Sequence, residues 1–186
     1  TGVLLSVLLE EAGVKPDASW VIAEGADVCK MARSLPLEKC TGDVIVAYGQ
    51  NGEAIRPEQG YPLRLVTPGW EGNINVKWLR RLEVTNRPLM ARDETSKYTD
   101  LMADGKARQF SFPMEAKSVI TFPSGEQKLD STGFYEISGL AWSGRGTIER
   151  VEVSVDGGDN WRDAELQEPR HPAAFTRFGL SWNWTG

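Results

Sequence analysis

Arg64 and Lys77 are the residues of this chain best placed by type and spacing to do chemistry. They belong to the stretch Gly60–Val84, in which two apolar, strand-like runs flank a Pro68-Gly69 turn and a loop punctuated by Gly72. Arg64 stands in the first run and Lys77 opens the second. A guanidinium and an ammonium brought together by a glycine loop make a seat for a phosphate or another oxyanion. The same residues also read as a plain hairpin carrying two solvated cations. Tyr98 is a second candidate, the one aromatic in the polar run Ala91–Leu101. A phenol can donate to a substrate oxygen and stays protonated at neutral pH. Asp27 in Glu24-Gly25-Ala26-Asp27 reads by itself as a turn residue bonding its own backbone. Cys29, Cys40 and the single histidine, His171, lack the close pairing of a metal motif.

The elements that must position these groups fall into three textures. The opening stretch from Thr1 reads as a short helix closed by Gly13. Trp20–Ala23 and Asp43–Tyr48 read as strands, and Asn51-Gly52 is a strong hairpin signal. Met31–Lys39 reads as a loop with a helical turn after Pro36. From Thr85 to Glu115 the chain is polar, and Met102–Phe110 looks like a loop; a long polar segment of this kind is functional or disordered. From Ala116 onward, Lys117–Phe122, Gly133–Trp142, Ile148–Val155 and Trp161–Leu166 read as short strands separated by turns. That pattern suggests an immunoglobulin-like sandwich, but the seventy-odd residues fall short of the ~100 of such a module. The expected fold class is α+β: a domain over residues 1–84, a linker over 85–115 and a truncated sandwich over 116–186.

Composition narrows the function classes. The chain has 186 residues, 40% hydrophobic and 25% charged, as in ordinary globular proteins. Its net charge of -5 argues against a nucleic-acid partner. No apolar run reaches the ~18 residues of a membrane span. The first residues lack the basic and small-residue features of a signal peptide. With no initial methionine, both ends are expected to be cuts from a longer protein.

Five separated phrases, in order, carry a resemblance: Tyr48–Glu53, Gly60–Val84, Glu94–Leu101, Gly139–Gly144 and Ser154–Trp161. Together they resemble the sulfite oxidase family of molybdopterin enzymes, and within it the chain is most similar to the sulfane dehydrogenase subunits of bacterial thiosulfate-oxidising (Sox) systems. The resemblance spans the whole chain. It implies the C-terminal part of a molybdopterin domain followed by an incomplete dimerisation domain. It also implies a molybdenum-molybdopterin cofactor whose phosphate meets Arg64 and Lys77, with contacts from Asn75 and Val76. Gln59 stands where many relatives carry histidine, so it can donate a hydrogen bond but carries no charge. Asp27 would accept from the pterin ring, and Tyr98 would take the family's active-site tyrosine role.

Neither Cys29 nor Cys40 fits the family's molybdenum-binding phrase. The thiolate ligand and one substrate arginine are expected before Thr1, and another arginine beyond Gly186. About half of the site is therefore expected here, with no tight cofactor binding or turnover by the fragment alone. The implied activity is oxygen-atom transfer to an inorganic sulfur substrate, either free sulfite or carrier-bound sulfane sulfur. Electrons would pass to a cytochrome c subunit, because no haem-attaching Cys-x-x-Cys-His occurs. The family further implies a periplasmic location and a homodimer or heterotetramer at full length. Three alternatives remain open: a sulfite oxidase or dehydrogenase proper, a cofactor-free dimerisation module, and a nitrate-reducing relative.

Overall fold

A computed structural model describes all residues, Thr1–Gly186. The fold is mostly β, with three short helices. The chain divides into two compact units, Thr1–Phe112 and Pro113–Gly186.

The first unit runs β1 (Gly2–Leu4), α1 (Leu5–Ala12), β2 (Trp20–Gly25), β3 (Ala32–Pro36), α2 (Leu37–Cys40), β4 (Ile45–Ala47), β5 (Gly49–Gln50), β6 (Glu53–Ala54), β7 (Arg64–Val66), β8 (Leu79–Thr85), α3 (Arg92–Ser96), β9 (Thr99–Leu101) and β10 (Ala107–Gln109). Single 3₁₀ turns form at Pro57–Gln59 and Gly72–Ile74. One antiparallel sheet has the order β1-β4-β7, and another β3-β2-β8. Leu5 and Leu9, four residues apart on α1, share one helix face. They join Val21, Ala23, Leu35, Val44, Val46, Leu65, Ile74 and Val76 in one core. Gly13 ends α1 at φ +74, with its N–H bonded to the Leu9 carbonyl at 3.1 Å.

The turn signals act where their chemistry requires. Asn51 and Gly52 both take positive φ, +52 and +81, between β5 and β6. Pro68 and Gly69 turn the chain after β7, with Gly69 at φ +74.

Three sequence expectations are corrected. Met31–Lys39 is not a loop before its helical turn: Ala32–Pro36 is β3, paired with β2 from Trp20↔Pro36 to Glu24↔Ala32. Its Arg33 and Ser34 break the apolar pattern, and both are buried. Met102–Phe110 holds β10, which pairs with β9 at Arg108↔Asp100. Arg33 interrupts the apolar face of β3, and β10 is exposed throughout. The runs in Gly60–Val84 do not make one hairpin, because β7 pairs with β4 and β8 pairs with β2.

The second unit holds β11 (Lys117–Phe122), β12 (Gly133–Trp142), β13 (Glu152–Val153), β14 (Arg162–Asp163), β15 (Glu165–Leu166) and β16 (Thr176–Trp184). Its main antiparallel sheet has the order β11-β12-β16-β15, with β13-β14 as a separate pair. β11 and β12 coincide with the runs read from sequence. Ile148–Val155 shortens to β13, for a reason of parity. Ile148 and Val153 both enter the core, yet they lie five residues apart, so one regular strand would turn them to opposite faces. β16 was not anticipated. Its signal is the alternation Phe178, Leu180, Trp182, of which all three pack in or against the core.

Candidate functional site

Two glycines set the geometry of the site. A Cβ built on Gly60 would lie 2.9 Å from Lys77 Cβ and 3.0 Å from Lys77 Cα. Gly60 also holds φ +110, which L side chains rarely adopt. A Cβ on Gly25 would lie 2.9 Å from the Lys77 carbonyl oxygen, 3.1 Å from Asp27 Oδ1 and 3.5 Å from Val76 Cγ1. The chain therefore brings the Gly25–Asp27 turn and the Gln59-Gly60 turn against the same segment, Val76–Trp78. Backbone bonds fix the approach: Ala26 N–H donates to the Trp78 carbonyl at 2.8 Å, and Leu79 N–H to the Leu63 carbonyl at 2.7 Å.

The two cations converge on the turn before Gly60. Arg64 Nη1 donates to the Gln59 carbonyl at 3.0 Å, and Lys77 Nζ to the Glu58 carbonyl at 2.9 Å. Arg64 Nη2 reaches the Asn75 carbonyl at 3.4 Å. Arg64 Nε is buried without a hydrogen-bond partner. Burial lowers the Arg64 pKa from the ordinary arginine value; starting from so high a value, the group remains a cation. Trp78 holds φ +49, fixed by its Nε1–H to the Pro57 carbonyl at 2.8 Å, and Lys77 Nζ lies 4.7 Å from its ring centroid. Positive φ in a bulky residue is strained and persists only where its surroundings impose it.

The other sequence-predicted residues have mixed surroundings. Asn75 uses its side chain internally, accepting from Thr67 N–H at 2.7 Å and donating to the Glu71 carbonyl at 3.0 Å. Val76 contributes its side chain to the core, and its carbonyl accepts from Leu65 N–H at 2.8 Å. Asp27 Oδ1 accepts from Met31 N–H at 2.9 Å, and its other carboxylate oxygen makes no bond of that kind in the turn. Cys29 lies exposed and free just after Asp27. Cys40 is buried, and burial pushes its thiol up to about 12, against the pull of Lys39.

Tyr98 is half-buried between α3 and β9. The Arg33 guanidinium carbon lies 4.3 Å from its ring centroid. Arg33, Ser34 and Glu94, which sequence reasoning missed, surround this contact. Glu94 is 1% exposed and accepts from Ser34 N–H at 2.5 Å and Ser34 Oγ–H at 2.9 Å. Arg33 Nε lies 3.7 Å from Glu94 Oε1, with both side chains fully buried. The available signal was a cation between Ala32 and Ser34 in a short run ending at Pro36.

What the arrangement can do chemically is hold an anion. Two cations, two close backbone approaches and an unpartnered guanidine nitrogen fit the phosphate-bearing tail of a pterin. Residues 1–92 match the family model of the oxidoreductase molybdopterin binding domain, and residues 108–185 that of the Mo-co oxidoreductase dimerisation domain. The chain is 55% identical to a chain in the crystal structure of the sulfane dehydrogenase SoxCD from Paracoccus pantotrophus, at a TM-score of 0.94, covering 99% of this chain and 48% of that one. It is 34% identical over 191 residues to mitochondrial sulfite oxidase of Drosophila melanogaster, covering 92% of this chain and 33% of the relative. It is 34% identical over 213 residues to the NADH nitrate reductase of Solanum lycopersicum, covering 98% and 23%. The chain thus spans about a quarter to a third of these two curated relatives. No helix is long and apolar enough to cross a membrane. The chain belongs to the sulfite oxidase family of molybdopterin oxidoreductases, joining part of its cofactor-binding domain to its dimerisation domain.

Proposed function

We propose that this chain is the part of a periplasmic, molybdenum-dependent sulfur-oxidising enzyme that seats the cofactor tail and presents the active-site phenol. The carrying observation is that Arg64 and Lys77 both bond the Glu58-Gln59 turn while the Gly25–Asp27 turn and Gly60 close against Lys77. When bound, molybdenum-molybdopterin supplies two-electron oxygen-atom transfer to sulfur. Arg64 and Lys77 would neutralise the cofactor phosphate, and the Arg64 fork would also orient it. Gln59 would add a neutral hydrogen bond from its amide. Asn75 and Val76 would support the seat, Asn75 through the carbonyl that receives Arg64 Nη2 and Val76 through the backbone bonds that hold this segment against Leu65 and Ile74. Asp27 would accept from ring N–H groups with the oxygen not used by Met31. Tyr98 would donate its phenol hydrogen to a substrate oxygen and so fix the sulfur substrate's orientation.

The substrate class is inorganic sulfur, as carrier-bound sulfane sulfur or sulfite. The 55% identity to a sulfane dehydrogenase favours it over nitrate, since the nitrate reductase likeness is 34%. The domains are read as cofactor domain to residue 84, a linker with Tyr98 over 85–115, and an immunoglobulin-like dimerisation module from 116. Electrons would pass to a cytochrome c subunit in a homodimer or heterotetramer.

In the full-length protein, the double variant R64A/K77A is expected to lose bound molybdenum at least tenfold, the scale of lost charge-assisted bonds. Y98F is expected to keep molybdenum and lose turnover in thiosulfate- or sulfite-dependent cytochrome c reduction. Unchanged molybdenum in R64A/K77A would remove the proposed seat. Nitrate turnover without sulfur oxidation would replace the substrate class.

A further inference from the structure

Arg33 is fully buried, yet none of its three guanidine nitrogens has a hydrogen-bond partner. That is costly, because a buried cation normally needs both a counter-charge and hydrogen bonds. Register explains how the residue reaches this position. β3 is an edge strand, and Arg33 pairs across from Ala23, whose short side chain leaves room for a long one. Alternation places Arg33 on the face of Val21, Ala23 and Leu35, all core residues.

The groups in contact with the guanidinium both come from the 94–98 segment, the Glu94 carboxylate at 3.7 Å and the Tyr98 ring at 4.3 Å, while the Glu71 and Asp93 carboxylates add attraction from further away. Glu94 is held in turn by both Ser34 donors, and its own carbonyl accepts from Thr99 Oγ1 at 3.1 Å. The cation is therefore closed in by a carboxylate four residues before the phenol and by the phenol's own ring face. A ring that left this position would leave the guanidinium with one partner fewer in a place water does not reach. Cation–π contacts of this kind are strongest when desolvated.

We infer that Arg33 is a positioning residue for Tyr98: its guanidinium clamps the ring, with Glu94 as the counter-charge, and so aims the phenol oxygen. The inference rests on the reading of Tyr98 as the group that faces substrate. The cation on the ring face also favours any negative charge that develops on the phenol oxygen as it donates.

The test uses the full-length, molybdenum-loaded enzyme with 3-fluorotyrosine incorporated, and Y98F to assign the Tyr98 fluorine resonance. Because removing one buried charge alone risks misfolding, the main variant is R33M/E94Q, with R33K as a second that keeps charge but loses the planar fork. The clamp predicts that the Tyr98 line moves toward the unfolded position in R33M/E94Q and moves in R33K. Molybdenum content stays unchanged. kcat falls by up to about 100-fold, the scale of a misplaced reacting group, with KM little changed. In a Y98F background the Arg33 changes lower kcat less than about twofold, because coupled residues do not add. An unmoved Tyr98 line in R33M/E94Q and R33K overturns the clamp. A moved line, with Y98F retaining wild-type kcat, keeps the clamp and overturns the role given to Tyr98.

Discussion

Gly60 lies so close to Lys77 that a Cβ on the glycine would stand 2.9 Å from the lysine Cβ. The contact is with the backbone end of Lys77, not with its flexible tip, so the lysine cannot swing clear. Gly60→Ala also has to hold φ +110. The expected loss is ~1–3 kcal/mol, the usual cost of a strained backbone conformation in a residue with a side chain. Urea unfolding of this chain measures it. In the full-length protein the same substitution is expected to lower molybdenum content, because the displaced element carries Lys77. A variant of unchanged stability would show that the turn relaxes freely.

Glu94 ties α3 to β3 across sixty residues of sequence. Glu94→Ala removes the acceptor of two Ser34 donors and leaves the buried Arg33 cation without its contact carboxylate. Removing one partner of a buried pair costs ~3–5 kcal/mol. Glu94→Gln keeps one acceptor oxygen and is expected to lose less, about 1–3 kcal/mol. The urea midpoints should therefore fall in the order wild type, Glu94→Gln, Glu94→Ala. Equal midpoints for wild type and Glu94→Gln would show that the charge on Glu94 contributes nothing.

The contrast between these two places shows what could be read in advance. The approach of Arg64 and Lys77 to one turn was legible because local turn chemistry builds it: Pro68-Gly69 turns the chain, and the cations sit close in sequence. The hairpin at Asn51-Gly52 and the stop at Gly13 were legible for the same reason. The Arg33–Glu94–Tyr98 cluster was not. A buried arginine in a short strand looks like an exposed loop residue until its carboxylate arrives from sixty residues on. β10 was hidden differently: it is exposed, and its cross-strand partner Asp100 binds Arg108 at 3.0 Å, where no apolar period marks it. The separation of β7 and β8 into two sheets was also illegible, since a continuous apolar pattern does not name its partner strands.

The two cysteines should differ sharply in reactivity. Cys29 is exposed, whereas Cys40 is buried with its thiol pushed up to about 12, and the thiolate is the reactive form. One equivalent of thiol is expected to react quickly with a disulfide reagent at pH 8 in the folded chain, and a second only on unfolding. Cys29→Ser should abolish the fast equivalent. Two fast equivalents in the native chain would show that Cys40 is accessible through local opening.

Asp156 gives the second unit an acid-sensitive turn. Its carboxylate accepts from Asn160 N–H at 2.9 Å, from Asn160 Nδ2 at 2.7 Å and from Ser154 Oγ–H at 2.8 Å. Asn160, first through its backbone and then through its side chain, leads in lowering the pKa from the ordinary 3.8 to about 2. Because the folded value lies below the unfolded one, the ionised group stabilises the fold above the unfolded pKa, and that contribution is lost as pH falls through the folded pKa. The window thus runs from about pH 4 down to about pH 2. Asp156→Ala should lower the stability of this chain near neutral pH, and its difference from wild type should shrink across that window. Urea titrations at several acidic pH values measure the difference. A gap that stayed constant down to about pH 2 would show that the carboxylate's charge does not hold the Ser154–Asn160 turn.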